Sequence, residues 1–152
     1  MKKKILIFTG SRADYGLLRP LIARIKNDKR FNLTIVAGPH HFSKIFGFTY
    51  KEILKDNNKI DFSCSVKVHK TSFDEVIKYC GKSMIDFFNY LKKDIPSIVV
   101  LLGDRYEVFS FCVASFFSNI PIAHIHGGEL TEGAFDDSLR HAITKLSDYH
   151  FV

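Results

Sequence analysis

Residues 98–102 read Ile-Val-Val-Leu-Leu, an unbroken apolar run that stops at Gly103. A strand with one wet face alternates apolar and polar residues, whereas a strand apolar at every position is buried on both faces and needs covering layers above and below its sheet. That demand selects an α/β sandwich. Further short apolar runs at residues 5–9, 33–37 and 120–125 alternate with longer stretches of helical period, the pattern of a doubly wound parallel sheet with helices on both faces.

The remaining elements follow from the same periods. Leu17, Leu18, Leu21, Ile22 and Ile25 recur at helical spacing after the turn Gly10-Ser11-Arg12-Ala13-Asp14. Residues 43–56 are expected to be helical but interrupted at Gly47, and residues 61–67 to form a short third strand. Residues 71–93 carry Val76, Ile77, Tyr79, Met84, Phe87, Phe88 and Leu91 on an amphipathic helix. Helices are expected at 104–118 and 135–146, with another strand beginning at 149–152. The expectation is one domain over residues 1–152, and the apolar end Tyr149-His150-Phe151-Val152 reads as cut from something longer.

Composition removes several classes of function. With 46% apolar and 25% charged residues in 152, the chain can bury a core and is not intrinsically disordered. Residues 1–60 carry a net charge of +9 and residues 61–152 a net charge of −3. The basic residues are spread out and accompany no nucleic-acid motif, so they read as a solvated surface favouring an anionic small molecule. Cys64, Cys80 and Cys112 lack CxxC spacing and read as buried thiols of a reducing cytoplasm. The apolar stretch before Gly10 is too short for a signal-peptide core or a membrane span.

In open α/β sheets, ligands bind outside the carboxyl ends of the strands, so the loops there hold the candidate chemistry. The first loop places small residues, Ser11 and Arg12 at a helix N-terminus, where free N–H groups favour phosphate; Arg12 is either that contact or a surface ion-pair partner. It lacks the GxGxxG spacing, and Gly81-Lys82-Ser83 is no P-loop because Val76 replaces its first glycine. Asp104, after Leu101-Leu102-Gly103, reads as a helix N-cap, a catalytic carboxylate, or both.

The loop at 124–129, His-Ile-His-Gly-Gly-Glu, admits two chemistries. His124 and His126, two apart on a strand, could ligate a metal with Glu129 or His141, but no further ligands stand at recognisable spacing and no metal is assigned. Alternatively Gly127 and Gly128 let the backbone turn close to a ligand and aim Glu129 into the cleft. Asp136, Asp137, Arg140 and His141 continue this polar cluster, with Asp136 and Arg140 at i, i+4; Asp136 as an N-terminal capping charge is the alternative.

At these loops the sequence resembles the hydrolysing UDP-N-acetylglucosamine 2-epimerases of bacterial sialic-acid biosynthesis and the epimerase half of the bifunctional animal enzyme. The resemblance rests on Thr9-Gly10-Ser11-Arg12-Ala13-Asp14-Tyr15-Gly16, Gly38-x-His40, Gly47-x-Thr49-Tyr50, Gly103-Asp104-Arg105-Tyr106-Glu107, Ile120-Pro121, His124-Ile125-x-Gly127-Gly128-Glu129 and the run from Asp136 to Lys145. It covers the whole chain. It implies a Rossmann-like domain equivalent to the N-terminal lobe of a two-lobed GT-B enzyme, with the C-terminal lobe absent, and a homodimer in the complete protein. It implies UDP-sugar as the partner and no cofactor, nucleic acid or membrane.

The implied reaction explains the acids. UDP leaves C1 as the C2 proton is removed, giving a glycal; water then adds at C1 while a proton reaches the other face of C2, yielding N-acetylmannosamine and UDP. Inversion needs proton-handling groups on both faces. By resemblance, Asp104 and Asp136 match catalytic acids, Arg12 lies near the diphosphate, and Arg140, His40 and His141 line the cleft. His126 occupies the place of a family catalytic glutamate, so Glu129 or His126 itself must serve. The His-Ile-His-Gly-Gly-Glu form is also similar to branches acting on UDP-diacetamido-trideoxy sugars, while UDP-N-acetylglucosamine is the substrate expected. A non-catalytic free-standing lobe and a metal-dependent hydrolase are the competing classes.

Overall fold

The computed structural model describes residues 2–64, 72–130 and 135–152. Six strands form one parallel sheet: β1 (Lys3–Thr9), β2 (Phe31–Ala37), β3 (Phe62–Ser63), β4 (Ile98–Leu102), β5 (Ile122–Ile125) and β6 (Tyr149–Phe151). Five helices connect them: α1 (Arg12–Lys26), α2 (Tyr50–Lys55), α3 (Phe73–Lys93), α4 (Tyr106–Phe117) and α5 (Phe135–Leu146). The strand order is β3-β2-β1-β4-β5-β6. The chain therefore builds outward from β1 in both directions, and the order reverses between β1 and β4. That reversal leaves a crevice outside their carboxyl ends, as in a Rossmann sheet.

Local chemistry starts each helix. Ser11 caps α1: its hydroxyl accepts from the Asp14 N–H at 3.4 Å and its own N–H donates to Asp14 Oδ2 at 2.8 Å, a closed capping box. In α3, Ser72 caps the start, Asp74 and Glu75 occupy the first turn and Lys92 and Lys93 the last, each sign matched to the helix dipole. Strand alternation then divides the core. Leu6 and Phe8 face Phe87, Leu91 and Phe111, with Phe8 stacked on Phe111 at 4.7 Å. Ile7 faces the other way, toward Tyr15, Leu18 and Ile22 of α1.

Four expectations are corrected. The helix expected over 43–56 shrinks to α2, preceded by turns; the interruption expected at Gly47 is present, since Gly47 and Phe48 both take left-handed φ values, and a 3-10 turn, Pro39–Phe42, stands before that stretch. The third strand is only two residues long within the described segment, and residues 65–67 of that expectation lie outside the described residues. The fourth helix begins at Tyr106 rather than Asp104. The fifth strand begins at Ile122, because Asn119 is left-handed and Pro121 has no N–H for a ladder.

The two faces of the sheet are covered unequally. Val100, Ile125, Tyr149 and Phe151, with Leu21 of α1, line an apolar hollow at the β6 edge, where Tyr149 and Phe151 stay more than half exposed. None of the described helices is long and apolar enough to cross a membrane.

Candidate functional site

Two polar clusters stand at the strand ends. The inner one is built around Glu107, in the first turn of α4 and without exposure to solvent. One of its oxygens, Oε1, lies 2.6 Å from His40 Nδ1 and 3.2 Å from Arg105 Nη2, while Arg105 Nε donates to Oε2 at 3.4 Å. His40 belongs to the 3-10 turn after β2 and is itself buried. Its Nε2 sits 3.3 Å from the Tyr106 hydroxyl, and the Tyr79 ring closes the cluster edge-on to Tyr106.

Burial would raise the Glu107 carboxyl, but hydrogen bonding and charge from His40 and Arg105 outweigh it and hold the group below its ordinary value. The same neighbourhood acts oppositely on the phenols. Burial, then the Glu107 charge, pushes Tyr106 up to about 12 and Tyr79 well above its ordinary value, so both phenols stay protonated. Asp14 is raised by burial despite its bonds to Ser11 and the charge of Arg105. Behind the cluster His41 bridges Thr9 Oγ1 at 3.0 Å and Thr49 Oγ1 at 2.9 Å; burial and the adjacent His40 push it down to about 4.

The outer cluster ties the ends of β4 and β5 to α5. Arg140 Nε donates to Asp104 Oδ2 at 2.9 Å, its Nη2 pairs with the same oxygen, and its Nη1 donates to the Glu129 carbonyl at 3.1 Å. That pairing raises Arg140 above its ordinary value. His126 Nδ1 stands 3.3 Å from Glu129 Oε1, and His141 Nε2 stands 3.5 Å from Asp137 Oδ2. Asp136 is exposed in the first turn of α5. Across the crevice, Arg12 opens α1 and pairs with Glu52 at 2.8 Å.

Several readings of the loops change. Asp104 does not cap α4: Arg105 holds the cap position, and the Asp104 carboxylate turns to Arg140. His124 and His126 do not share a side as a ligand pair. His124 is buried and spends both nitrogens, on the Gly103 carbonyl at 2.7 Å and on Thr144 Oγ1 at 3.1 Å, whereas β5 ends before His126, which takes a left-handed φ of 59°. Among the described residues no three His, Cys, Asp or Glu side chains are arranged to hold a metal ion. Gly127 serves packing, since a Cβ there would meet His124 Nδ1 at 2.6 Å and Thr144 Oγ1 at 2.7 Å.

Residues 23–152 match the UDP-N-acetylglucosamine 2-epimerase family. The chain belongs to that family. It is 43% identical to the GDP/UDP-N,N'-diacetylbacillosamine 2-epimerase (hydrolyzing) of Campylobacter jejuni, with 99% of this chain and 39% of the relative covered. It is 37% identical to the UDP-N,N'-diacetylbacillosamine 2-epimerase (hydrolyzing) of Legionella pneumophila, covering all of this chain and 40% of the relative. In structure it is similar to UDP-GlcNAc 2-epimerase from Neisseria meningitidis bound to UDP-GlcNAc, at a TM-score of 0.84 and 20% identity over 98% of this chain and 40% of that one, a likeness of fold. The chain thus spans about 40% of the length of these epimerase relatives.

Of the residues singled out in the sequence of this epimerase-family chain, the structure joins Asp104, Arg140, Glu129 and His126 into one connected group. Arg12 and His40 lie on separate walls, and His141 and Asp136 stay on α5. The sequence motifs contain Glu107, Arg105 and Asp14, but sequence reasoning assigned no role to them or to Tyr79. A signal for Glu107 existed: it stands on the α4 face that buries Phe111 and Ala114, where a charge is out of pattern.

Proposed function

We propose that this chain is the N-terminal lobe of a hydrolysing nucleotide-sugar 2-epimerase. The observation that carries the reading, beside family membership, is the Asp104 carboxylate oriented by Arg140 at the switch-point crevice, with Glu129 linked to the same arginine and His126 to Glu129. The capped start of α1 with Arg12, and Arg105 at the start of α4, supply positive potential for a diphosphate on the two sides of that crevice. The bare apolar hollow beside β6 is a surface of the kind that packs against further protein, which suits a lobe of a larger homodimeric enzyme.

The chemistry runs in two balanced steps. A carboxylate takes the C2 proton while the C1–O bond breaks and UDP leaves with the bonding pair, so a C1=C2 double bond forms. Water then gives its oxygen to C1, and a proton is delivered to the opposite face of C2. Asp104 and Asp136 are assigned the two faces, with Glu129 or His126 taking the place of the missing glutamate; Arg140, His40 and His141 hold the substrate. No cofactor is required, because the leaving nucleotide drives the elimination.

For the sugar, the His-Ile-His-Gly-Gly-Glu loop and the names of the 43% and 37% identical relatives support a diacetamido-trideoxyhexose on UDP or GDP. UDP-N-acetylglucosamine, expected from the chain-long resemblance, is the second reading. Incubating the full-length protein separately with UDP-N-acetylglucosamine and with UDP- and GDP-linked diacetylbacillosamine decides. The expected result is stoichiometric release of the nucleoside diphosphate and a 2-epimeric free sugar from one of them; release of neither from any of the three overturns the reading.

A further inference from the structure

We propose that Glu107 is a positioning residue of the crevice, fixing Arg105 and His40 in the orientation that receives the sugar nucleotide; this rests on the epimerase reading above. His40 follows β2 and Arg105 follows β4, while β1 lies between those strands. Glu107 is therefore the group that spans the switch point from beneath. An added Cβ on Gly10, in the β1 loop, would stand 3.6 Å from Glu107 Cβ, so this loop rests directly on the carboxylate's side chain.

The geometry constrains both partners. Two nitrogens of Arg105 engage the two Glu107 oxygens, Nη2 with Oε1 at 3.2 Å and Nε with Oε2 at 3.4 Å, which locks the plane of the guanidinium. The Arg105 side chain is nevertheless 42% exposed, so its remaining N–H groups are available to an anion. His40 is held between two groups, with Nδ1 2.6 Å from the carboxylate and Nε2 3.3 Å from the Tyr106 hydroxyl. One wholly buried carboxylate thereby sets a cation and an imidazole.

A purely structural role does not require that charge. Burying an ion pair costs desolvation that its Coulomb attraction often fails to recover, and an apolar replacement of similar volume is often neutral or stabilising. What the carboxylate uniquely supplies is direction: it fixes where two side chains on separate loops point, and misplacement by about 1 Å at a reacting site costs on the order of 10²-fold in rate.

The experiment compares wild type, Glu107→Gln and Glu107→Asp as full-length enzymes, with folding followed by circular dichroism and turnover by nucleoside diphosphate release. Glu107→Gln keeps the side chain's volume and is expected to lower kcat/KM by about 10²-fold, chiefly through a rise in KM, with Glu107→Asp recovering part of the loss. A structural role alone lowers melting temperature and the active fraction while leaving KM unchanged, so a Glu107→Gln enzyme whose KM stays within about twofold overturns the proposal. Should Glu107→Gln fail to fold, Arg105→Met, at a partly exposed residue, decides: a raised KM in a folded protein supports positioning and an unchanged one overturns it. Wild type without turnover of any nucleotide sugar removes the epimerase reading and this proposal together; an active wild type with an indifferent Glu107→Gln removes the proposal alone.

Discussion

The inner and outer clusters sit at neighbouring strand ends but are built on opposite principles. Glu107 and His40 are buried, so every charge there is compensated by a neighbour at close range. Asp104 and Arg140 are 19% and 13% exposed, while Glu129 and His126 are more than half exposed; the Arg140 guanidinium joins Asp104 to Glu129, and His126 attaches through Glu129. The inner cluster therefore couples site geometry to the stability of the fold. The outer one can lose a carboxylate without opening the core, which suits groups that must meet substrate and water.

Three perturbations test that contrast. The largest effect is expected from Asp104→Asn in the full-length protein: removal of the carboxylate proposed to handle a substrate proton should cost about 10²–10⁴-fold in kcat while circular dichroism still reports a folded protein. Turnover within tenfold of wild type would take Asp104 out of the chemistry and shift the proton handling to the other acids proposed for it, Asp136 and Glu129.

The second perturbation is acid. His41 is pushed down to about 4 by burial, below the ordinary histidine value of about 6.5. Between those values the unfolded chain takes up a proton that the folded chain refuses. Stability is thus complete above about pH 6.5 and falls as pH drops toward 4, by up to about 3 kcal/mol for this group. His124, also lowered by burial, contributes in the same direction. Urea denaturation of wild type and His41→Gln at several pH values should show their difference in unfolding free energy shrinking across this window. A difference independent of pH would mean that the histidine behind the inner cluster is not held neutral.

The smallest effect belongs to the surface of the crevice. Arg12 is 72% exposed and Glu52 is 35% exposed, so Glu52→Gln should change unfolding free energy by less than about 0.5 kcal/mol. A larger loss would show that the α1 wall is tied to the core as tightly as Glu107 is.

The outer cluster was largely legible because its residues announce themselves locally. Asp104 follows an apolar run and a glycine, and Glu129 follows two glycines. The reading of Asp104 as a cap failed because α4 starts two residues later, where Arg105 takes the extended cap conformation. The shared side expected for His124 and His126 is lost because strand alternation stops at Ile125, and His126 is left-handed. Glu107 stands within a motif but received no role, because an acid in the first turn of a helix also serves the dipole, and that familiar reading masks its place on the buried face.

Sequence alone determined the layered α/β architecture, since the apolar run at 98–102, the period of the helices and the capping residues are local properties set by backbone geometry. Tertiary structure decided which polar residues meet. Arg140 reaches Asp104 across 36 positions, and Glu107 reaches His40 only because β2, β1 and β4 lie side by side in the sheet. Strand order is a non-local choice, fixed when the two faces of the sheet are covered. The Glu107 pairing depends on that choice, and so do the low values of His41 and His124 and the raised ones of Tyr79 and Tyr106.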